Sequence, residues 1–133
     1  MKWTALVAVF VLWTSPAFCE SAEEMASACR TVAAAKVSAT GVALPTDFDS
    51  GLCWGAFAAL QKAINIVASA SPRPNVPFLG ICAPETSTRT QLILIFEEFS
   101  RRHPERLNAD FFFVALDALR EAFPCSPARG AKR

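Results

Sequence analysis

Apolar residues recur at helical spacing in four stretches of the chain, separated by turn-forming residues. Ser21 and Glu24 form a capping box, in which hydroxyl and carboxylate satisfy the free N–H groups of a first turn reciprocally. Met25, Ala28, Cys29 and Val32 then fall at i, i+3, i+4 and i+7, which predicts a helix from Ser21 to about Lys36. Gly41 and Pro45 mark a loop, and Asp47, Asp49 or Ser50 can cap a second helix from about Gly51 to Ser69. Its buried stripe is Phe57, Leu60, Ile64 and Val67. Gly55, Ala59 and Ala63, four residues apart, would let a neighbouring helix approach closely.

Residues 70–87 differ in kind. Pro72, Pro74, Pro77 and Pro84 forbid regular helix, while Phe78, Leu79 and Ile81 are apolar within a loop-like segment. Either Phe78 and Ile81 plug the core beside Cys82, or the long loop is functional. A third helix follows Thr88, with Thr88-x-x-Gln91 as a second capping box and Leu92, Ile95, Phe96 and Phe99 as its core face. It ends at Arg101-Arg102-His103, whose positive charge suits a helix C-terminus.

Pro104 is placed to open a fourth helix at its first position, where the missing N–H costs nothing. Leu107, Phe111, Val114 and Ala118 form one stripe, and Phe112, Leu116, Leu119 and Phe123 another beside it. This predicts the most buried helix of the four. Pro124 stops it just before Cys125, and the tail 126–133, lacking large apolar side chains, is expected to be disordered. There is no period-two alternation and no internal repeat. The expected fold class is all-α, a small disulfide-stapled bundle of about four main helices spanning residues 20–125.

The first stretch stands apart. Met1-Lys2 gives a positive start, Ala5 to Trp13 is an unbroken apolar run, and Thr14-Ser15-Pro16 precedes small residues at Ala17 and Cys19. This is the order of a secretory signal peptide, assigned to residues 1–19, and the run is too short to span a membrane. Cleavage after Ala17 or after Cys19 both fit. Acylation of Cys19 is the alternative, opposed by Phe18 where a lipobox requires a small residue. The expected location is the periplasm.

Processing changes both charge and cysteine count. The chain has 133 residues, 13 basic and 12 acidic, so losing Lys2 with the leader brings its formal net charge from +1 to zero. That balance argues against a nucleic-acid partner. Losing Cys19 turns five cysteines into four: Cys29, Cys53, Cys82 and Cys125. An even count in an oxidising compartment reads as two disulfides, whereas zinc sites use closely spaced ligand pairs. A short turn between helices three and four makes them antiparallel, which brings Cys82 and Cys125 to one end and leaves Cys29 for Cys53.

Catalytic chemistry is hard to assemble from these residues. His103 is the only histidine and sits between two arginines and a proline, where a helix-junction cap is the simpler role. No G-x-S-x-G, H-E-x-x-H or phosphate-cradling glycine loop occurs. Glu97-Glu98 diverge by about 100° on a helix and read as a solvated face. No enzyme, metal site, cofactor or small-molecule substrate is expected. Apolar residues set among polar ones remain as partner-binding candidates: Phe78 and Leu79 in the loop, Leu94 on helix three, and Phe113 on helix four.

Cys29 in helix one, Cys53-Trp54-Gly55, Ile81-Cys82-Ala83-Pro84, Thr88-x-x-Gln91, His103-Pro104-Glu105 and Ala122-Phe123-Pro124-Cys125 together resemble the Rap/Tai family over residues 25–125. These are periplasmic immunity proteins directed against the cell-wall amidase effectors of type VI secretion systems. The resemblance implies a helical, disulfide-bonded domain, often a homodimer, that occludes the active groove of a peptidoglycan-cleaving amidase. Two positions depart from the family pattern: Ala56 stands where an aromatic residue is common, and Ala59 where a second glycine is common. The rival reading is a small periplasmic acid-stress chaperone that would open when its carboxylates protonate.

Overall fold

The computed structural model describes residues 20–35, 37–38, 41–70 and 77–125. Residues 1–19, 36, 39–40, 71–76 and 126–133 lie outside the described residues, together with the expectations placed on them. The main elements are α1 (Ala22–Ala33), α2 (Phe48–Ala70), α3 (Arg89–Arg102) and α4 (Phe111–Ala122). The chain folds as an all-α bundle in which α1 packs against the other three helices. One exception to helix is a hairpin of two residues per strand, β1 (Val37–Ser38) and β2 (Gly41–Val42). Strands this short leave no alternation to read in a sequence.

Local chemistry explains most helix ends. The Ser21 hydroxyl accepts from the Glu24 N–H, and the Glu24 carboxylate accepts from the Ser21 N–H at 3.0 Å, completing the capping box of α1. The helix stops at Ala33, a turn earlier than expected. Asp47 rather than Asp49 or Ser50 caps α2, its carboxylate accepting from the Ser50 N–H at 2.8 Å. That hydrogen bond holds the Asp47 carboxyl below the ordinary aspartate range and starts the helix three residues early. Thr88 caps α3 by accepting from the Gln91 N–H.

The fourth helix departs furthest from expectation. Pro104–Arg106 is a short 3-10 turn, residues 107–110 form an irregular turn, and α4 begins only at Phe111. The reason is non-local. The Leu107 and Ala109 carbonyls accept from the N–H groups of Glu23 and Ala22 at 3.0 and 2.8 Å, satisfying orphan donors of the first turn of α1. Backbone committed to another helix cannot continue its own. Asp110 then restarts the chain, accepting from the Phe112 N–H at 2.8 Å. As a result Leu107 leaves the predicted stripe, Phe112 is 41% exposed, and α4 buries no more residues than α1.

The core is centred on three rings. Phe57 of α2, Phe96 of α3 and Phe111 of α4 lie with centroids 5.3–5.6 Å apart in tilted and edge-on contacts. Phe57 and Phe96 are fully buried, and burying each ring contributes roughly 1.5–3 kcal/mol. Met25, Val32, Leu92, Ile93, Val114 and Leu119 pack around them. The stripe of Gly55 and Ala59 faces solvent instead of a helix, with open space where a Gly55 Cβ would project. α2 has the length and apolar content of a membrane span, yet Cys53, Phe57, Leu60 and Ile64 give it a core face.

Two disulfides staple the bundle. Cys29–Cys53 joins α1 to α2 with both residues fully buried. Cys82–Cys125 joins the segment before α3 to the segment after α4, where the Cys82 N–H also donates to the Phe123 carbonyl at 3.0 Å. Before Cys82 the chain reverses through Leu79 and Gly80, both at positive φ (49° and 88°), and Phe78 and Ile81 exchange backbone hydrogen bonds across the turn. Gly80 suits this place twice over. Glycine reaches positive φ without a steric penalty, and a Cβ here would sit 3.4 Å from Arg120 Nε.

Candidate functional site

The bundle leaves one face of α3 to solvent. Gln91, Leu94, Glu98 and Arg101 recur at three- and four-residue spacing along it, and Leu94 is 47% exposed. On one side, between α1 and α3, lies a cavity of about 450 Å³ lined by Arg30, Leu94, Glu97, Ser100 and Leu107 among others. On the other, between α3 and α4, a cavity of about 350 Å³ has Leu94, Ile95, Ala118 and Ala122 as apolar lining, with Glu98, Arg102 and Glu121 beside them. Leu94 and Glu98 line both cavities, so this face of α3 is a ridge between two depressions.

Paired charges flank the ridge. Glu98 meets Arg101 at 2.6 Å and Arg102 at 3.6 Å, and Arg102 reaches across to Glu121 of α4 at 2.7 Å. The hydrogen bond from Arg101 draws the Glu98 carboxyl below the ordinary glutamate range. Such exposed pairs contribute little to stability, and only Arg102–Glu121 crosses from α3 to α4.

Glu97 behaves differently from its neighbour and departs from the solvated face expected of it. It is half-buried between α1 and α3, and burial pushes its carboxyl above the ordinary range while the charge of Arg30 pulls it back. One of its carboxylate oxygens, Oε1, is buried without a hydrogen-bond partner, as is the hydroxyl of Ser100, a residue only 4% exposed. Sequence reasoning missed Arg30, Glu97 and Ser100. The only available signal was a serine on the i+3, i+4 track of a core face, where Phe96 and Phe99 precede it.

The remaining candidates fall elsewhere. Leu79 is 51% exposed and sits over α4, where its carbonyl accepts from Arg120 Nε at 2.7 Å. Asp117 binds both Arg120 (2.9 Å) and Arg106 (2.6 Å), so the loop, α4 and the 3-10 turn share one charged relay. Phe113, 63% exposed, lies one turn before Asp117 on the same face, its ring paired with that of Phe112. Phe78 is half-buried and packs against the core. Three of the four candidates are thus exposed. Leu94 crowns the α3 ridge, and Leu79 and Phe113 lie along the α4 relay.

His103 ends α3 by donating its backbone N–H to the Phe99 carbonyl, and its ring stacks on Phe99 with centroids 4.3 Å apart. Its Nδ1 lies 3.0 Å from Glu105. Among the described residues, no group of three or more His, Cys, Asp or Glu is placed to hold a metal ion. What these surfaces offer is apolar area set among paired charges, the composition of a protein–protein contact.

No curated protein and no solved structure matches the chain in comparisons with known proteins. A family model does, over residues 21–125, which is the whole described domain from the cap of α1 to the second disulfide. The chain belongs to the Rap1a immunity proteins, a family whose members bind a protein effector.

Proposed function

We propose that this immunity protein is exported to the periplasm and there binds and sterically blocks a peptidoglycan amidase delivered by a type VI secretion system. The family match over residues 21–125 carries the reading. Three further features support it: an amino-terminal segment with the order of a signal peptide, a bundle stapled by two disulfides, and exposed apolar residues set among ion pairs. Disulfides persist in oxidising compartments, which fits action outside the cytosol.

The mechanism is occlusion rather than turnover. An effector that buries Leu94 against its own surface would lose access to its substrate without any bond being made or broken. Affinity would come from apolar area and shape, since the processed chain carries no net charge to steer the encounter. A homodimer is part of the proposal and would present two such ridges at once. Sedimentation of the purified protein reads this directly, and a monomer at micromolar concentration removes the dimer from the account.

The test is protection in living cells. Directing to the periplasm a type VI amidase effector that the purified chain binds should lyse cells, and co-producing the chain with residues 1–19 should rescue them. Production without residues 1–19 should not. Rescue by the leaderless form would refute the location, and lysis despite the full chain would refute the function.

A further inference from the structure

α2 turns a second apolar face to solvent, opposite the one that enters the core. Phe48 is 81% exposed and Ile66 54% exposed. At about 3.6 residues per turn their spacing is a whole number of turns, so both lie on one line along the helix. Gly55 and Ala59 lie between them, about 20° to either side of that line, and both are exposed. Phe57, midway along, points the other way and is fully buried. The helix is long and apolar enough to cross a membrane, yet most of that stretch lies outside the core.

Charge and symmetry narrow what covers this face. A helix that rests on a bilayer carries a polar face rich in Lys and Arg. α2 has a single lysine, Lys62, against Asp49 in its first turn and Asp47 just before it. The face is instead complementary to itself. A two-fold axis at the level of residue 57 sets Phe48 of each copy against Ile66 of the other, with Gly55 against Ala59 at the crossing. The large side chains supply the apolar area, and the small ones only set how closely the two helix axes approach. Lys62 then lies level with residue 52 of the other copy, about 4.5 Å along the axis from its Asp49. A parallel pairing would set Lys62 against Lys62.

We infer that the outer face of α2 is the homodimer interface, covered by the α2 of a second copy running antiparallel about a two-fold axis. This deepens the homodimer reading above, on which it rests, by naming the surface. Neither cavity beside α3 is lined by an α2 residue, so pairing through α2 leaves the Leu94 ridge of each copy free for an effector.

Sedimentation equilibrium of the oxidised protein should show association to a dimer. Ala59→Arg places a long side chain at the crossing in both copies and should weaken the dimer about tenfold or more. Ile66→Lys should do the same from the ends of the interface. Both positions are exposed and both replacements are good helix formers, so the far-UV circular dichroism of each variant should match the wild type. Lys62→Glu turns a carboxylate toward the acidic first turn of the other copy. It should weaken the dimer several-fold at low salt and less at high salt. An unchanged dissociation constant at low salt would overturn the antiparallel arrangement.

If the wild type dimerises and Ala59→Arg and Ile66→Lys dimerise equally well, the α2 inference fails while the homodimer reading stands. If the wild type is a monomer at micromolar concentration, both fail. Loss of amidase binding in Ala59→Arg with the dimer intact would assign the face to the effector and overturn the inference as well.

Discussion

Replacing Cys82 and Cys125 by alanine removes the staple that ties the segment before α3 to the end of α4. The cross-link closes 43 residues of chain, and restricting the unfolded state over that length corresponds to about 4 kcal/mol by loop entropy. The Cys29–Cys53 link closes 24 residues and contributes about 3.5 kcal/mol on the same basis. Small domains are stable by only about 5–15 kcal/mol in total, so either loss is a large fraction. Urea unfolding followed by circular dichroism should show the double variant's midpoint falling by roughly 2–4 M. The two bonds should also differ in access. Both cysteines of the first are fully buried, whereas Cys82 and Cys125 are half-buried, so mild reductant should open the second pair first. A midpoint shift below about 0.5 M, or reduction of Cys29–Cys53 before Cys82–Cys125, would refute the reasoning.

Other expectations follow from named contacts. Phe96→Ala empties the middle of the three-ring core and should cost about 3–5 kcal/mol in thermal or urea unfolding. Asp47→Ala removes the cap of α2 and should lower the melting temperature at neutral pH. Because the native Asp47 carboxyl titrates below its ordinary range, that deficit should shrink as pH falls through the native value, where the wild-type cap is itself protonated. Glu97→Gln should act in the opposite sense. Burial raises the native Glu97 carboxyl above its unfolded value, so keeping it ionised costs stability once pH exceeds the raised value. The variant should therefore melt higher than the wild type at pH 7 and match it below the ordinary glutamate range.

Much of this architecture can be read directly from the chain. The Ser21–Glu24 box, the Thr88 cap and the 3.6-residue spacing of Met25, Cys29 and Val32 are local signals, and local backbone chemistry decides them. The start of α4 was not legible because Leu107 and Ala109 spend their carbonyls on α1, some eighty residues earlier in sequence. Gly55 and Ala59 have the spacing of a helix contact, but burial depends on which neighbour arrives, and none does. The site divides in the same way. Leu94 and Phe113 could be identified as apolar residues on polar faces, whereas Glu97 and Ser100 acquire their significance only when α1 packs across them.

The most direct test of the account is an inhibition titration with purified cell-wall amidase effectors of type VI secretion systems. Cleavage of peptidoglycan, followed as solubilised muropeptide, should fall linearly with added protein and vanish at a fixed molar ratio, and Leu94→Arg should abolish that endpoint without unfolding the bundle. Cleavage that proceeds at its full rate in the presence of excess folded, oxidised protein would contradict it.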